Sequence, residues 1–230
     1  MSPGDPLPDG SHGPHVLVDD LDQLDITADD RHHLDRVLRV RVGDPVTIGD
    51  GRGGWQAFTW GPVPEPVGER RAVAAPTPRV GVAFALIKGG RPELVVQKLT
   101  ELGVDDIHPF VAARSVVRWD ANKAARNAER LDRVAREAVM QCRRAWIPTV
   151  HGVSDFADVA ALPGAVMADM GGAILHAATG PMTVLVGPEG GWDDAEHQTA
   201  IPRVSLSDAV LRSETAAIAA GVALTRARPY

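Results

Sequence analysis

Two short segments near the C-terminus contain residue types that are suited to binding and to chemistry. Residues 185–192 read LVGPEGGW, a short apolar run that ends in a glycine-rich turn. Residues 206–216 read LSDAVLRSETA and contain Arg212 and Glu214. Glycine lets a backbone approach a ligand closely, and an arginine guanidinium offers two parallel donors to developing negative charge. The two segments therefore predict a pocket edged by main-chain groups, with a cation and a carboxylate beside it.

The common nucleotide-binding motifs do not explain the glycine turn. No Gly-Lys-Ser or Gly-Lys-Thr follows it, as a P-loop would require, and Gly187, Gly190 and Gly191 lack the Gly-x-Gly-x-x-Gly spacing of the dinucleotide fingerprint. A tight turn without a ligand is the alternative, because proline and glycine dominate turns for backbone reasons alone. The second segment, close behind the first, favours a binding site.

Together the two segments resemble the C-terminal signature of the SPOUT methyltransferases, most closely the RsmE type, the 16S ribosomal RNA uridine N3-methyltransferases. Residues 97–104, QKLTELGV, match the same pattern, and the resemblance extends over most of the chain. It implies an α/β domain with a parallel sheet and a deep trefoil knot that holds S-adenosylmethionine. The cofactor-binding residues that it implies are Leu185, Val186, Gly187, Pro188, Glu189, Gly190, Gly191, Leu206, Ser207, Val210 and Leu211.

The reaction that the resemblance implies assigns roles to the two charged residues. Methyl transfer from a sulfonium is an in-line displacement, so placement is its main requirement. Uridine N3 is a poor nucleophile while protonated, and the site must favour deprotonation and stabilise the resulting charge. Arg212 is the candidate for stabilising that charge, and Glu214 or Glu189 for accepting the proton or orienting Arg212. The alternative for both glutamates is that they only cap helix N-termini.

Strand–helix alternation after residue 80 predicts the α/β domain that must position these segments. Residues 74–79, AAPTPR, form a proline-rich linker, so we assign residues 1–75 to a first domain and residues 80–230 to a second. In the second domain we predict helices at residues 92–103, 122–142, 155–162 and 213–226, and strands at residues 80–87, 104–111, 165–168, 183–186 and 203–206. Residues 169–172 are predicted to be a loop that forms one wall of the cofactor pocket.

Short strands separated by glycine turns predict a small β-barrel in the first domain. Strands are expected at residues 15–18, 46–48 and 55–60, and Thr27 with Asp30 resembles a capping box before a short helix. Residues 1–13, rich in proline, glycine and aspartate, are predicted to be disordered. In the RsmE resemblance this domain is a PUA-like RNA-binding domain.

The charge distribution leaves room for RNA as a partner. The net charge is −6, but residues 1–30 alone carry −8, so the remainder carries +2, and residues 114–144 carry +5. Local patches govern attraction to phosphate, although basic side chains are also common as solvated surface groups. The candidate RNA-binding residues, from both domains, are His33, Arg36, Arg39, Lys88, Lys98 and Arg114.

Several further expectations follow from the composition and the resemblance. The single cysteine, Cys142, gives no thiolate metal site, and no metal is expected. The lack of a long apolar run or a signal segment predicts a cytoplasmic protein. Small apolar residues at 216–223 predict helix–helix association into a homodimer. The small ribosomal subunit, through its 16S RNA, is the expected macromolecular partner.

Two departures from the family pattern keep other functions open. Ser207 stands where the family usually has glycine, and Met140 where it usually has glutamate. They motivate the alternative of a catalytically idle RNA-binding homologue. A second alternative is a SPOUT methyltransferase that acts on transfer RNA or on a ribose 2′-oxygen.

Overall fold

The computed structural model describes residue 8, residues 10–175 and residues 180–228. Contacts divide the chain into two compact units, Met1–Pro76 with Arg136–Ile147, and Thr77–Ala135 with Pro148–Tyr230. The first of the two segments of the first unit ends at Pro76, within the predicted boundary region at residues 75–80. The segment Arg136–Ile147, placed in the second domain by the sequence interpretation, belongs by its contacts to the first unit.

The first unit is built on a four-stranded sheet in the order β1-β2-β3-β4. Its strands are β1 (His15–Leu17), β2 (Pro45–Gly49), β3 (Gly54–Thr59) and β4 (Glu65–Ala72), and its short helix is α1 (Ala28–His32). Strand β1 pairs in parallel with β2, whereas β2, β3 and β4 pair antiparallel. Strand β4, exposed along its length, was not predicted from the sequence.

Thr27 is the N-cap residue of α1, but the reciprocal bond of the predicted capping box is not formed, because the Asp30 carboxylate accepts from the Thr27 hydroxyl at 2.9 Å. The Thr27 hydroxyl accepts a hydrogen bond from the Asp30 backbone N–H at 3.1 Å and begins α1. The helix continues as a π-helical turn over His33–Val37, which Leu34 anchors in the core at 2% exposure. Of the segment 1–13, which was predicted to be disordered, residues 1–7 and 9 lie outside the described residues, and Gly10–His12 form a 3-10 turn.

The second unit is an α/β structure whose sheet pairs are all parallel, in the order β11-β9-β10-β5-β6-β7, with β8 also paired to β6. This confirms the predicted α/β fold, while the trefoil knot stays a prediction. The strands are β5 (Val80–Ala85), β6 (Asp106–Val111), β7 (Thr149–Val150), β8 (Ser154–Asp155), β9 (Ala165–Ile174), β10 (Met182–Val186) and β11 (Arg203–Ser205). The helices are α2 (Arg91–Leu102), α3 (Ala121–Cys142, which belongs to the first unit from Arg136 on), α4 (Phe156–Ala160), α5 (Asp194–His197) and α6 (Ser213–Arg226).

Helix α6, which follows the second site segment, lies where the sequence predicted it. Its Ala217, Ala220 and Leu224 are fully buried, and a Cβ at Gly221 would come within 2.7 Å of the Leu99 side chain on α2. Part of the small-residue face that motivated the homodimer prediction is therefore covered by α2 of the same chain, whereas Val222 is exposed and Ala216, Ala219 and Ala223 are half-buried. The homodimer stays a prediction.

One predicted loop is wrong. Residues 169–172 belong to β9, which runs on to Ile174 and pairs with β11 through a register shift near Val204. A Cβ at Gly172 would come within 2.4 Å of the Val204 backbone, so glycine permits this close strand approach. The sequence interpretation ended the strand at Ala168, before Asp169 and the glycine pair Gly171 and Gly172. Among the described residues, no helix is long and apolar enough to cross a membrane.

Candidate active site

A cavity of about 220 Å³ lies at the carboxyl ends of two parallel strands, β10 and β11, and beside the middle of β9, which lies between them in the sheet. This is the edge of an open α/β sheet where ligands bind. Three segments contribute its walls: one from β9, the glycine turn after β10, and the stretch that joins β11 to α6. The lining residues are Ala168, Asp169, Met170, Val186, Gly187, Pro188, Glu189, Gly191, Trp192, Leu206, Ser207, Ala209, Val210, Leu211, Ser213 and Ala216.

The glycine turn is shaped by backbone constraints that only glycine meets easily. Gly191 has a φ of +71°, and its N–H donates to the Pro188 carbonyl at 2.9 Å, which closes the turn. A Cβ at Gly187 would come within 3.0 Å of the Trp192 ring. The turn is therefore folded tightly against Trp192, and it presents main-chain groups to the cavity.

Trp192 forms the apolar wall behind the turn. It is 7% exposed, stacks on Phe110 with ring centroids 6.2 Å apart, and donates through Nε1 to the Ala168 carbonyl at 3.0 Å. This bond joins the glycine turn to β9. Asp193 and Glu196 then form a reciprocal capping box that begins α5, so the acidic residues after the turn serve the helix start.

The stretch from β11 to α6 is held to the glycine turn by the first residue of α6. The Ser213 hydroxyl, 6% exposed as a residue, donates to the Gly187 carbonyl at 3.0 Å. Upstream, Ser207 accepts from the Ala209 N–H at 3.1 Å, so its side chain forms a local turn at the cavity wall. The serine in place of glycine therefore has a structural partner of its own.

The two predicted catalytic residues lie in different environments. Arg212 is the exposed N-cap residue of α6, between the lining residues Leu211 and Ser213, and no described residue pairs with its side chain. Glu214 is only 14% exposed at its side chain, and its Oε2 is buried without a hydrogen-bond partner among the described residues. The two side chains do not pair, so Glu214 does not orient Arg212 in this structure.

Arg91, which the sequence interpretation did not single out, is the cation that contacts both glutamates. Its Nε lies 3.7 Å from Oε1 of Glu214, and its Nη1 lies 3.2 Å from Oε1 of Glu189. Arg91 is the first residue of α2, so it connects that helix with the glycine turn and with the start of α6. Only the three-dimensional structure could reveal this, because about a hundred residues or more separate Arg91 from its partners.

Asp169 adds a second carboxylate to the cavity. Its Oδ2 lies 3.6 Å from Nη1 of Arg203 and 3.8 Å from Nδ1 of His197. With Glu189 on the opposite segment, the lining is apolar side chains, main-chain groups and two carboxylates. Such a lining suits a ligand that combines an apolar body with positive charge.

The predicted cofactor-binding residues mostly meet at this cavity. Nine of the eleven line it, whereas Leu185 is fully buried in β10 and Gly190 faces the Arg114 side chain. The lining also includes Asp169 and Met170, from the segment that was predicted to form a pocket wall. The other lining residues, which the sequence interpretation did not assign to the cofactor, are Ala168, at the end of a predicted strand, and Trp192, Ala209, Ser213 and Ala216, within the two motifs.

The predicted RNA-binding residues fall into two groups. His33, Arg36 and Arg39 lie exposed along one short segment of the first unit, and Arg39 has a φ of +58°, uncommon for a residue with a side chain. The exposed apolar side chains of Val37 and Leu38 accompany them.

In the second unit the candidates are differently engaged. Lys88 is exposed after β5, whereas Lys98 pairs with Glu101 at 2.8 Å. Arg114 donates to the Gly190 carbonyl at 3.5 Å and lies 3.9 Å from Asp193 and from Asp194. Arg114 therefore lies on the outer side of the glycine turn.

Comparison with known proteins identifies relatives of both units. A model of the RNA methyltransferase domain matches residues 74–225, and a model of the RNA methyltransferase PUA domain matches residues 26–58. Ribosomal RNA small subunit methyltransferase E from Synechocystis is 32% identical over 215 residues, which are 83% of this chain and 69% of that protein. The protein of the same name from Mycobacterium bovis is 32% identical over 225 residues, 85% of this chain and 83% of that protein.

Solved structures have the same fold. Ribosomal RNA small subunit methyltransferase E from Neisseria gonorrhoeae, bound to S-adenosyl methionine, superposes with a TM-score of 0.78 at 24% identity, covering 91% of this chain and 95% of that one. A Legionella pneumophila protein solved as a methyltransferase with bound cofactor SAM superposes with a TM-score of 0.78 at 25% identity, covering 90% and 94%.

Proposed function

Because this chain belongs to the ribosomal RNA small subunit methyltransferase E family, we propose that it transfers a methyl group from S-adenosylmethionine to N3 of a uridine in 16S ribosomal RNA. The observation that carries the proposal is the cavity at the carboxyl ends of β10 and β11, which both site motifs line. The reaction takes place on the small ribosomal subunit or its precursor, in the cytoplasm.

The cavity fits S-adenosylmethionine by its chemistry. Main-chain groups of the glycine turn and of residues 206–211 would hold the polar atoms of the cofactor, and Trp192 and Leu206 would cover its apolar parts. Asp169 and Glu189 would favour its positive charge. When bound, the cofactor supplies an activated methyl group on a sulfonium.

The residues around the cavity divide the remaining tasks. Arg212 is free to bind the carbonyl oxygens that flank uridine N3 and to stabilise the negative charge of the deprotonated base. Glu214, two residues further along the chain, is the proposed proton acceptor; it does not line the cavity, and its Oε2 has no donor among the described residues. Arg91 is a positioning residue, because it holds Glu214 and Glu189 together without lining the cavity.

Calorimetric titration of the full chain with S-adenosylmethionine, followed by methylation of small-subunit RNA with labelled cofactor, tests this proposal. Binding and incorporation into 16S RNA are expected. Absence of binding would favour an idle RNA-binding homologue, and incorporation into transfer RNA alone would favour a different SPOUT activity.

The segment 33–39 of the first unit is proposed to bind RNA phosphates. Charge reversal of both Arg36 and Arg39 is expected to weaken binding to small-subunit RNA by about tenfold. The slope of the logarithm of RNA affinity against the logarithm of salt concentration should become less steep by about 1 for each phosphate that the variant no longer binds. Affinity for S-adenosylmethionine should not change, because its pocket lies wholly in the second unit. Filter binding at several salt concentrations measures the RNA affinity and its slope.

Charge reversal of both Arg70 and Arg71 is the matched control, since they are exposed arginines on β4 of the same unit. An equal loss of RNA affinity in this control would show that only overall charge matters. Equal losses of RNA and cofactor affinity in the Arg36 and Arg39 variant would contradict the assignment.

The chain is also proposed to act as a homodimer, through an exposed apolar patch beside the cavity. Met170 and Val210, 56% and 82% exposed, line the cavity, and Ile174 farther along β9 is 75% exposed. Contiguous exposed apolar surface marks interaction sites. Aspartate at both Ile174 and Val210 should convert a dimer to a monomer in sedimentation at micromolar concentration.

Val63→Asp provides the control, because Val63 is 79% exposed but belongs to the first unit. This variant should sediment as the parent does. A parent protein that sediments as a monomer at micromolar concentration would overturn the dimer proposal.

A further inference from the structure

We propose that Asp106, His108 and His151 form a binding site for a divalent transition-metal ion such as Zn²⁺. The three residues lie in the second unit, and none of them lines the cofactor cavity. Asp106 is the first residue of β6, whereas the cavity lies where other strands of the same parallel sheet end. The site is therefore separate from the proposed methyl-transfer centre.

The sheet itself brings the three side chains together. Asp106 and His108 are two residues apart on β6, so they project from the same face. His151 directly follows β7, and its N–H donates to the Ile107 carbonyl at 2.8 Å, which places it beside His108. The two imidazole rings stack with centroids 3.9 Å apart and planes within 8° of parallel.

The distances between the potential ligand atoms of the three side chains need only a small adjustment for all three to bind one ion. One potential ligand atom from each of the three residues lies within 4.8 Å of the others, and Oδ1 of Asp106 is 3.2 Å from Nε2 of His151. Ligand atoms around a tetrahedral zinc ion with bonds of about 2.0 Å are separated by about 3.3 Å. A rotation of the His108 ring out of the stack would direct its nitrogen toward the same point.

The chemistry of the set selects the type of ion. Two imidazoles and one carboxylate suit zinc, cobalt, nickel or copper better than magnesium or calcium, which prefer oxygen ligands alone. The imidazole of His108, unlike its backbone in β6, makes no hydrogen bond with any residue that the structure describes. Its ring nitrogen is thus available without the loss of an existing bond.

Arg79 competes with the ion and sets its affinity. Its Nε and Nη2 donate to the two carboxylate oxygens of Asp106 at 2.9 and 2.8 Å. The Arg79 side chain is 52% exposed, so the guanidinium can move into solvent when an ion takes one carboxylate oxygen. Because Arg79 and the ion compete for Asp106, removal of the Arg79 side chain should strengthen metal binding.

The test uses the full chain, freed of metal with a chelator and titrated with Zn²⁺ against a chromophoric competitor. We expect one equivalent of Zn²⁺ to bind and to raise the unfolding temperature. His151→Ala and His108→Ala should each weaken binding by at least about tenfold, since residues that only support metal ligands already change affinity by about 10- to 100-fold. Arg79→Ala should tighten binding by about tenfold.

Two control variants test whether Zn²⁺ binds elsewhere in the chain. His32→Ala removes an exposed histidine of the first unit, and Cys142→Ser removes the single thiol; neither should change the affinity. Because His108 is largely buried, the unfolding temperature of each variant without metal establishes that it is folded, and His151→Ala, at a half-exposed position, tests the same ligand set.

The absence of Zn²⁺ uptake at micromolar protein would overturn the proposal. So would uptake that His151→Ala leaves unchanged, because the ion would then lie elsewhere. Weaker binding in Arg79→Ala would show that Asp106 and the histidines form only a structural network around that arginine.

Discussion

Arg212→Ala is expected to reduce the single-turnover rate of methyl transfer by about 100-fold or more while leaving the fold and most of the cofactor affinity intact. Removal of one donor that stabilises an oxyanion typically has this effect. The proposed cofactor contacts are mainly main-chain groups, which the substitution leaves in place. Arg212 has no partner among the described residues that its loss would strand. Rate, S-adenosylmethionine affinity and melting temperature should be measured on one preparation.

The control for Arg212 is its replacement by lysine. A point ammonium cannot reproduce the planar pair of donors, so Arg212→Lys should recover little of the rate. If Arg212 were instead a structural strut, the alanine variant would lose thermal stability and cofactor affinity together. Turnover near the parent rate would remove Arg212 from the mechanism.

Arg91→Ala is expected to weaken S-adenosylmethionine binding by about tenfold and to reduce methyl transfer further. The substitution leaves the Glu214 carboxylate, 14% exposed, without its cation and frees the glycine turn at Glu189. Stranding a largely buried charge is costly, although the exposure of Arg91 itself, 40%, limits the effect to about 1–2 kcal/mol. Calorimetry and single-turnover kinetics measure the two losses separately.

A second substitution tests whether the stranded charge of Glu214 causes the loss of cofactor affinity. Glu214→Gln in the Arg91→Ala background removes the stranded charge, so it should restore part of the cofactor affinity without restoring the rate. Arg130→Ala is the matched control, because Arg130 pairs with Glu93 of the same helix α2 at 3.0 Å and does not line the cavity. Cofactor affinity that falls equally in Arg130→Ala would show a general loss of stability.

Local sequence signals predicted much of the fold. The boundaries of α6 and the left-handed glycine at the end of α2, Gly103 with a φ of +95°, follow from helix periodicity and from the special conformations open to glycine. Strand β9 is longer than predicted. Gly171 and Gly172 have low strand propensity, but tertiary pairing with β11 overrides it. The order of the strands follows from long-range pairing, which periodicity does not encode.

The sequence predicted the parts of the candidate site whose residues are consecutive, but not the contacts between residues that are far apart in sequence. The glycine turn and residues 206–211 lie within two short motifs, and nine of eleven predicted residues line one cavity. Arg91 reaches the same site from α2, about a hundred residues away in sequence. Likewise, Asp106 and His151 meet only through the pairing of β6 and β7.

Identification of the methylated nucleoside tests the central claim most directly. Small-subunit RNA or intact small subunits lacking the modification would be incubated with the protein and S-adenosylmethionine, digested to nucleosides and analysed by mass spectrometry against synthetic standards. The proposal predicts N3-methyluridine in 16S RNA, formed by the parent protein and largely absent with Arg212→Ala. A 2′-O-methylated nucleoside, or a methyl group found only in transfer RNA, would contradict it.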